Sequence, residues 1–293
     1  MDIRAIGMGL AFAFMWSSAF TSARILVAEM PPMSTLALRF LLSGAIAVVL
    51  ARMLGQSWRL TRAQWGLTLV FGVCQNALYL GLYFIAMQTV EASLAAIVAS
   101  TMPLVVALAG WLALGERPGR LGTVGLLAGI GGVVLIMGAR LQSGVDPLGL
   151  ALCVIGVLAL ALATLSVRGA SSGGNVLMIV GLQMLVGSAV LAVPALAFET
   201  WQVSWTPLLA GAFAYTTFVP GLAATLVWFL LVRRIGAVKA ATFHFLNPFF
   251  GVAIAAALLG ERLSLTDIAG AIIIAGGILA VQLSRGAAAR GAQ

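Results

Sequence analysis

Ten stretches of about 20 mainly apolar residues, each long enough to cross a bilayer as a helix, follow one another with almost nothing between them. They run over roughly 3–28, 33–53, 64–88, 91–113, 119–138, 147–169, 174–197, 206–232, 236–259 and 264–284. Of the 293 residues, 62% are hydrophobic and 8% charged, and the mean hydropathy is +1.13, far from soluble domains. Inside a bilayer every backbone N–H and C=O must bond within the protein, which leaves helices or closed barrels. Continuous runs of this length specify helices, so the expected fold is an all-α membrane protein of ten transmembrane helices. The first run follows Arg4 and has small residues at Ser22 and Ala23, in the manner of a secretory signal. It is too long for one and has a counterpart at 147–169, so it is expected to stay.

A net charge of +8 and a pI near 11.0 would point to nucleic acid in a soluble protein. Here the charges sit at helix ends, where they determine topology, and no nucleic-acid partner is expected. Ten spans put both termini on one side. That side collects most of the 16 basic residues, Arg52, Arg59, Arg62, Arg233 and Arg234 among them, while most of the 8 acids fall opposite. Both termini are therefore expected in the cytoplasm. Arg24 and Arg39, near the outer ends of spans one and two, are expected to snorkel, with contact to a substrate carboxylate as the alternative. Cys74 and Cys153 lie far apart in apolar runs without ligand spacing and are read as small packing residues.

The chain is also duplicated. Shifting 100–136 (STMPLVVALAGWLALGERPGRLGTVGLLAGIGGVVLI) by 145 residues onto 245–281 superposes Pro103 on Pro248 and Gly115-Glu116-Arg117 on Gly260-Glu261-Arg262. It also aligns Gly125 with Gly270 and Gly131-Gly132 with Gly276-Gly277. The repeats are expected at 1–142 and 143–293. Each holds five spans, an odd number, so the second enters the membrane from the opposite side to the first. Inverted-topology repeats are a recurring transporter construction, with the substrate near the midplane and alternating access through exchange of the halves' conformations.

The patterns MWSSAFTSARI (15–25), PPMSTLALRFLLSG (31–44) and ASLAAIVASTMPLVVALAGWLALGER (92–117), with the last echoed at 237–262, resemble the EamA family of the drug/metabolite transporter superfamily. Within it the chain looks most like amino-acid exporters of the YddG type. The resemblance covers essentially the whole chain. It implies a ten-helix bundle around a central cavity, spans five and ten peripheral, in a bacterial-type inner membrane.

Candidate site residues follow from polar groups at membrane depth. His244, Asn247 and Gly251 share one helical face, and ionisable or amide groups there ordinarily turn to the bundle interior. Gln75, Tyr79 and Tyr83 form a stripe at i, i+4 and i+8, with Asn76 beside it, suited to a ligand that is part apolar and part hydrogen-bonding. Trp16, Ser17, Ser100, Thr101, Gln183, Tyr215 and Trp228 could complete the lining. Pro103, Pro220 and Pro248 interrupt spans four, eight and nine, and are read as hinges because proline removes one donor and crowds the carbonyl four residues earlier. Each has a plain structural reading beside this one: a packing kink for the prolines, a neutral ring bonded to a neighbouring helix for His244, an interfacial anchor for Tyr83 and helix-packing glue for the rest.

No GK[ST] follows a glycine-rich loop, so ATP hydrolysis is not encoded. One histidine and two remote cysteines make no recognisable metal site, no triad spacing is evident, and no cofactor is expected. The expected function is small-molecule export, amino acids foremost, by a facilitated mechanism, with no obligatory protein partner. The same lining would accept a drug, nucleobase or other neutral metabolite, and proton coupling through His244, a channel-like pore or a non-transporting membrane subunit remain as alternatives. Glu116 and Glu261 are expected to order tight turns near the following helix, and Ser264 with Asp267 to cap span ten.

Overall fold

The computed structural model describes residues 3–115, 119–166, 173–235, 240 and 242–291, and among these there are helices and no strands. The order is α1 (Ile3–Val27), α2 (Pro32–Met53), α3 (Arg62–Ala86), α4 (Ala92–Ser100), α5 (Met102–Leu114), α6 (Arg120–Gln142), α7 (Pro147–Ser166) and α8 (Val176–Phe198). Then α9 runs on through Pro207–Thr216, Thr217–Ala223 and Ala224–Ile235, a 3₁₀ turn covers Thr242–Leu246, and α10 (Asn247–Leu259) and α11 (Leu265–Gly291) complete the chain.

Nine helices among the described residues are long and apolar enough to cross a bilayer, counting α4 and α5 as one broken span, Ala92–Leu112. The tenth apolar stretch, Phe243–Leu259, is shorter. The expected ninth span, 236–259, falls partly on residues 236–239 and 241, which lie outside the described residues. The regular helix α10 starts at Asn247, and Pro248, which cannot donate to the turn before it, takes its second position. Pro103 does the same at the start of α5, after a break at Thr101. Neither proline therefore bends a continuous helix. Both begin one, at equivalent places in the duplication.

Local sequence sets several ends. Thr61 and Gln64 form a reciprocal capping box at α3, and Thr206 accepts from Leu209 N–H ahead of Pro207 at α9. The expected pairing of Ser264 with Asp267 caps α11 through bonds of 2.8 and 3.1 Å. Helices α5 and α10 both close on a left-handed glycine, Gly115 and Gly260, each with φ 68°.

Two helices carry π turns, Gly72–Tyr79 in α3 and Thr217–Ala223 in α9. These fall at the same place in the two repeats, since residue 72 shifted by 145 is residue 217. A π turn inserts an extra residue and rotates the side chains that follow it, and such turns concentrate at functional sites.

The chain forms two compact units. The first comprises residues 1–21, 89–150 and 223–293, and the second residues 22–88 and 151–222. In the first, α6 packs on α11 through glycines. A Cβ on Gly277 would lie 2.5 Å from Gly125 O, and one on Gly270 would strike the Ile136 side chain and stand 3.2 Å from Gly132 O. Gly125 thus meets the repeat-equivalent of Gly132, and Gly132 the equivalent of Gly125. That exchange, with residue numbers rising on one helix and falling on the other, is antiparallel packing about a local twofold. In the second unit α2 and α8 do the same, Gly44 against Gly181 and the Ser188 hydroxyl donating to Ala37 O at 2.8 Å. Without a hydrophobic drive between helices in lipid, close backbone approach of this kind supplies the association.

The motif glutamate behaves differently from expectation. Glu261 caps α4, accepting from Ala92 N–H at 2.8 Å and Ser93 N–H at 2.9 Å. The start of α11 is already taken by Asp267, which leaves Glu261 for the exposed donors of a helix 169 residues away. Glu116 lies outside the described residues. Glu199 caps α2 in the same bidentate way through Met33 and Ser34 N–H.

Candidate functional site

Each unit contains an aromatic cluster with polar groups beside it. In the first unit, Phe12 and Trp16 on α1, Trp228 on α9 and His244 in the 3₁₀ turn come together. Ring centroids are 5.7 Å apart for Phe12 and Trp16, 4.7 Å for Phe12 and Trp228, 5.1 Å for Trp228 and His244, and 5.3 Å for the edge-on pair of Phe12 and His244. Gly9 has no Cβ where the Phe243 ring sits, and Ala5, Leu231 and Ala240 form an apolar cluster next to Trp228. The polar side is made by Asn247, whose Nδ2 lies 3.0 Å from His244 Nδ1. Its main-chain oxygen accepts from the Ser17 hydroxyl at 3.2 Å. Asn247 is 4% exposed and its Oδ1 has no partner among the described residues. Burying an acceptor unpaired is costly.

In the second unit, the rings of Tyr79 and Tyr83 lie 4.7 Å apart between centroids, tilted at 59°. Gly156 on α7 leaves room for the Tyr83 ring, 2.8 Å from where its Cβ would be. Asn76 Nδ2 donates to Gln183 O at 2.8 Å, tying the α3 π turn to α8. Asn76 is therefore engaged in holding two helices, while Gln75 and Tyr215 are half-buried and Gln183 is buried. Tyr83 shifted by 145 is Trp228, so the two aromatic clusters occupy equivalent positions in the repeats. The polar groups do not repeat: the counterparts of His244 and Asn247 are Ala99 and Met102, and that of Gln75 is Pro220.

Ser100 and Thr101 are buried, and their hydroxyls donate to Ile97 O at 2.6 Å and Val98 O at 2.7 Å. They close the last turn of α4. Pro103 and Pro248 are buried at the starts of α5 and α10, and Pro220 lies inside the α9 π turn. No group of three metal-ligating side chains occurs among the described residues.

Arg39 departs most from expectation. It does not snorkel: it is 5% exposed, and its Nε donates to Thr216 O at 3.1 Å. One turn on, the Ser43 hydroxyl donates to Thr217 O at 3.3 Å. Thr216 O is the carbonyl four residues before Pro220, which has no N–H to offer it. The sequence signal for this was present in the spacing of Thr35, Arg39 and Ser43, a polar stripe at i, i+4 and i+8, but the acceptor is a main-chain oxygen 177 residues away.

Nine helices among the described residues that are long and apolar enough to cross a bilayer define an integral membrane protein. The EamA-like transporter family matches the chain twice, over residues 3–138 and 147–283, and the protein belongs to that family. Its relatives include the uncharacterized transporter YvbV of Bacillus subtilis (strain 168), 28% identical over 90% of this chain and 87% of that protein. The uncharacterized inner membrane transporter YedA of Escherichia coli (strain K12) is 27% identical over 88% of this chain and 84% of its own. A solved crystal structure, 21% identical and covering 97% of this chain and 99% of that one, superposes with a TM-score of 0.71, so the fold is one already seen.

Proposed function

We propose that the protein exports amino acids, aromatic and apolar ones included, across a bacterial inner membrane. The observation that carries this reading is the cluster of Phe12, Trp16, Trp228 and His244 beside the unpartnered Asn247 amide oxygen. It offers stacking surface for an apolar side chain and a hydrogen-bond acceptor for an ammonium group, without a fixed carboxylate that would select cations. The equivalent tyrosine pair, Tyr79 and Tyr83, gives the other repeat an aromatic surface of the same kind, and Gln75, Gln183 and Tyr215 add polar groups in that unit.

The repeats are taken as 1–142 and 143–293, inverted with respect to each other, with ten membrane passages and both termini cytoplasmic. The antiparallel exchange of Gly125 and Gly132 with their own counterparts supports the inversion. Alternating access then follows from exchange of the two repeats' conformations, with the helix starts at Pro103 and Pro248 and the π turn at Pro220 as the bending points. Transport is facilitated and driven by the substrate gradient, since His244 is the one titratable group within the aromatic cluster and its Nδ1 is held by Asn247.

The test is efflux of labelled phenylalanine from proteoliposomes of the purified protein, challenged with unlabelled amino acids, nucleobases and cationic drugs, with and without a pH gradient. Competition by amino acids alone and no effect of the gradient is the expected result. Competition by nucleobases or drugs but not amino acids would refute the substrate assignment. A His244→Ala variant that loses gradient-driven accumulation while keeping exchange would refute facilitated transport.

A further inference from the structure

A second recognition element lies in α2. Thr35, Arg39 and Ser43 share one face of that helix and are 0%, 5% and 1% exposed. Arg39 lies seven residues past Pro32, about 10 Å along the helix axis, where an ionised side chain is costly and ordinarily paired or functional. Arg140 shows what pairing looks like in this protein. Its guanidinium meets both oxygens of Asp267 at 2.9 Å and reaches Glu91 at 2.8 Å. Arg39 has no carboxylate partner among the described residues. Its recorded hydrogen bond is the single one from Nε to Thr216 O, which leaves the Nη donors to be satisfied from elsewhere. Thr35 Oγ1, one turn away on the same face, has no partner among the described residues.

The π turn of α9 lies opposite at this point. Gly221 follows Pro220 in the π turn, and a Cβ there would lie 3.4 Å from Arg39 Nη2 and 3.5 Å from Ser43 Oγ. These are ordinary van der Waals distances, so the glycine brings the π-turn backbone close to the guanidinium, while the Nη donors have no hydrogen-bond partner among the described residues. A planar fork of N–H donors matches the two oxygens of a carboxylate.

We propose that Arg39 receives the carboxylate of the transported substrate, with the Thr35 hydroxyl as a second donor. This deepens the amino-acid reading and rests on it for the identity of the substrate. It also gives an anionic partner to a buried cation that, among the described residues, meets only the Phe40 ring at 5.2 Å and Thr216 O. The bond to Thr216 O holds the guanidinium in place and ties it to the π turn, so substrate arrival and the geometry of α9 are coupled.

The experiment compares phenylalanine with phenylalaninamide, which lacks the carboxylate, as competitors for labelled phenylalanine in proteoliposomes of phosphatidylcholine alone. The wild type is expected to prefer phenylalanine by at least tenfold, Arg39→Lys to keep part of that preference, and Arg39→Gln to lose it. Arg39→Gln discriminating as the wild type does would overturn the proposal. Because Arg39→Gln also strips Thr216 O of a donor, it is paired with Pro220→Ala, which restores a main-chain N–H. Recovery of folding without recovery of the preference is expected from the double variant, and recovery of both would make Arg39 purely structural.

Thermal stabilisation by 3-phenylpropionate separates the proposal from the amino-acid reading. Should the wild type exchange no amino acid, stabilisation of the wild type but not of Arg39→Gln still supports the carboxylate site, and equal behaviour of the two overturns it. Stabilisation that appears only after adding phosphatidylglycerol would assign the anion to a lipid headgroup and overturn it as well.

Discussion

Replacing Glu261 by Gln changes one atom's chemistry and tests how the second repeat holds the first. Its two oxygens accept from Ala92 and Ser93 N–H at 2.8 and 2.9 Å, donors that no turn of α4 can satisfy. Glutamine keeps one acceptor and turns an NH₂ toward the other donor, so one hydrogen bond is lost and the survivor loses its charge. A hydrogen bond to a charged group contributes about 1.5–3 kcal/mol, and carboxylate at a helix N-terminus about 0.3–1 kcal/mol more. Glu261 is half-buried, which favours the lower end, so the expected cost is about 2 kcal/mol. At roughly 2–4 °C per kcal/mol for chains of a few hundred residues, the apparent Tm of purified protein in detergent should fall by about 4–8 °C. Glu199→Gln weakens a similar cap on α2 that also accepts from the Ser34 hydroxyl and should cost at least as much, whereas the exposed Glu29→Gln serves as the unaffected control. An E261Q protein within about 1 °C of wild type would refute the capping argument.

Gly277→Ala places a Cβ 2.5 Å from Gly125 O and 2.9 Å from Gly129 N, backbone atoms that cannot swing away, whereas a Cβ on Gly276 meets nothing within 4 Å. The first should lower the apparent Tm by the equivalent of about 1–3 kcal/mol and the second leave it unchanged. Trp228→Ala removes ring contacts with Phe12 and His244 and is expected to raise the KM for phenylalanine about tenfold, the scale of one aromatic pair, with a smaller effect on alanine. The Thr89 hydroxyl, followed by the Gly149 and Leu148 N–H groups, holds the Asp146 carboxyl below the usual carboxylate range. That stabilisation is present above the unfolded group's ordinary pKa of about 4 and is lost as pH falls through the lower folded value. Apparent Tm measured across this range should fall more steeply for wild type than for Asp146→Asn.

The parts of this fold carried by hydropathy and by small residues were legible in the sequence. Runs of apolar residues located the helices, and the paired glycines of the repeats lie where α6 and α11 touch. What a linear pattern does not encode is which polar group answers which. Ser100 and Thr101 read as lining, yet their hydroxyls close their own helix turn, because a carbonyl three residues back is always nearer than a ligand. Glu261 read as a turn former for the next helix, while its partners are backbone donors of α4. Arg39 sits near the start of its span and so read as a snorkelling residue. Its burial depends on α9, and its acceptor is a carbonyl deprived of its usual donor by a proline far away in sequence. The π turns were not legible either, since they arise where α3 and α9 meet neighbours and insert no characteristic residue. Of the candidate site, His244, Asn247, Ser17, Trp16 and Trp228 come together in one unit and Tyr79 with Tyr83 in the other.

The most direct test is counterflow: proteoliposomes loaded with unlabelled L-phenylalanine, diluted into a trace of the labelled compound, with D-phenylalanine and an empty-liposome control. A carrier that alternates access predicts transient, saturable accumulation of label above equilibrium, driven by the internal L-isomer and abolished without internal substrate. Label that only equilibrates, at a rate linear in concentration and equal for both isomers, would contradict the account and make the protein a pore.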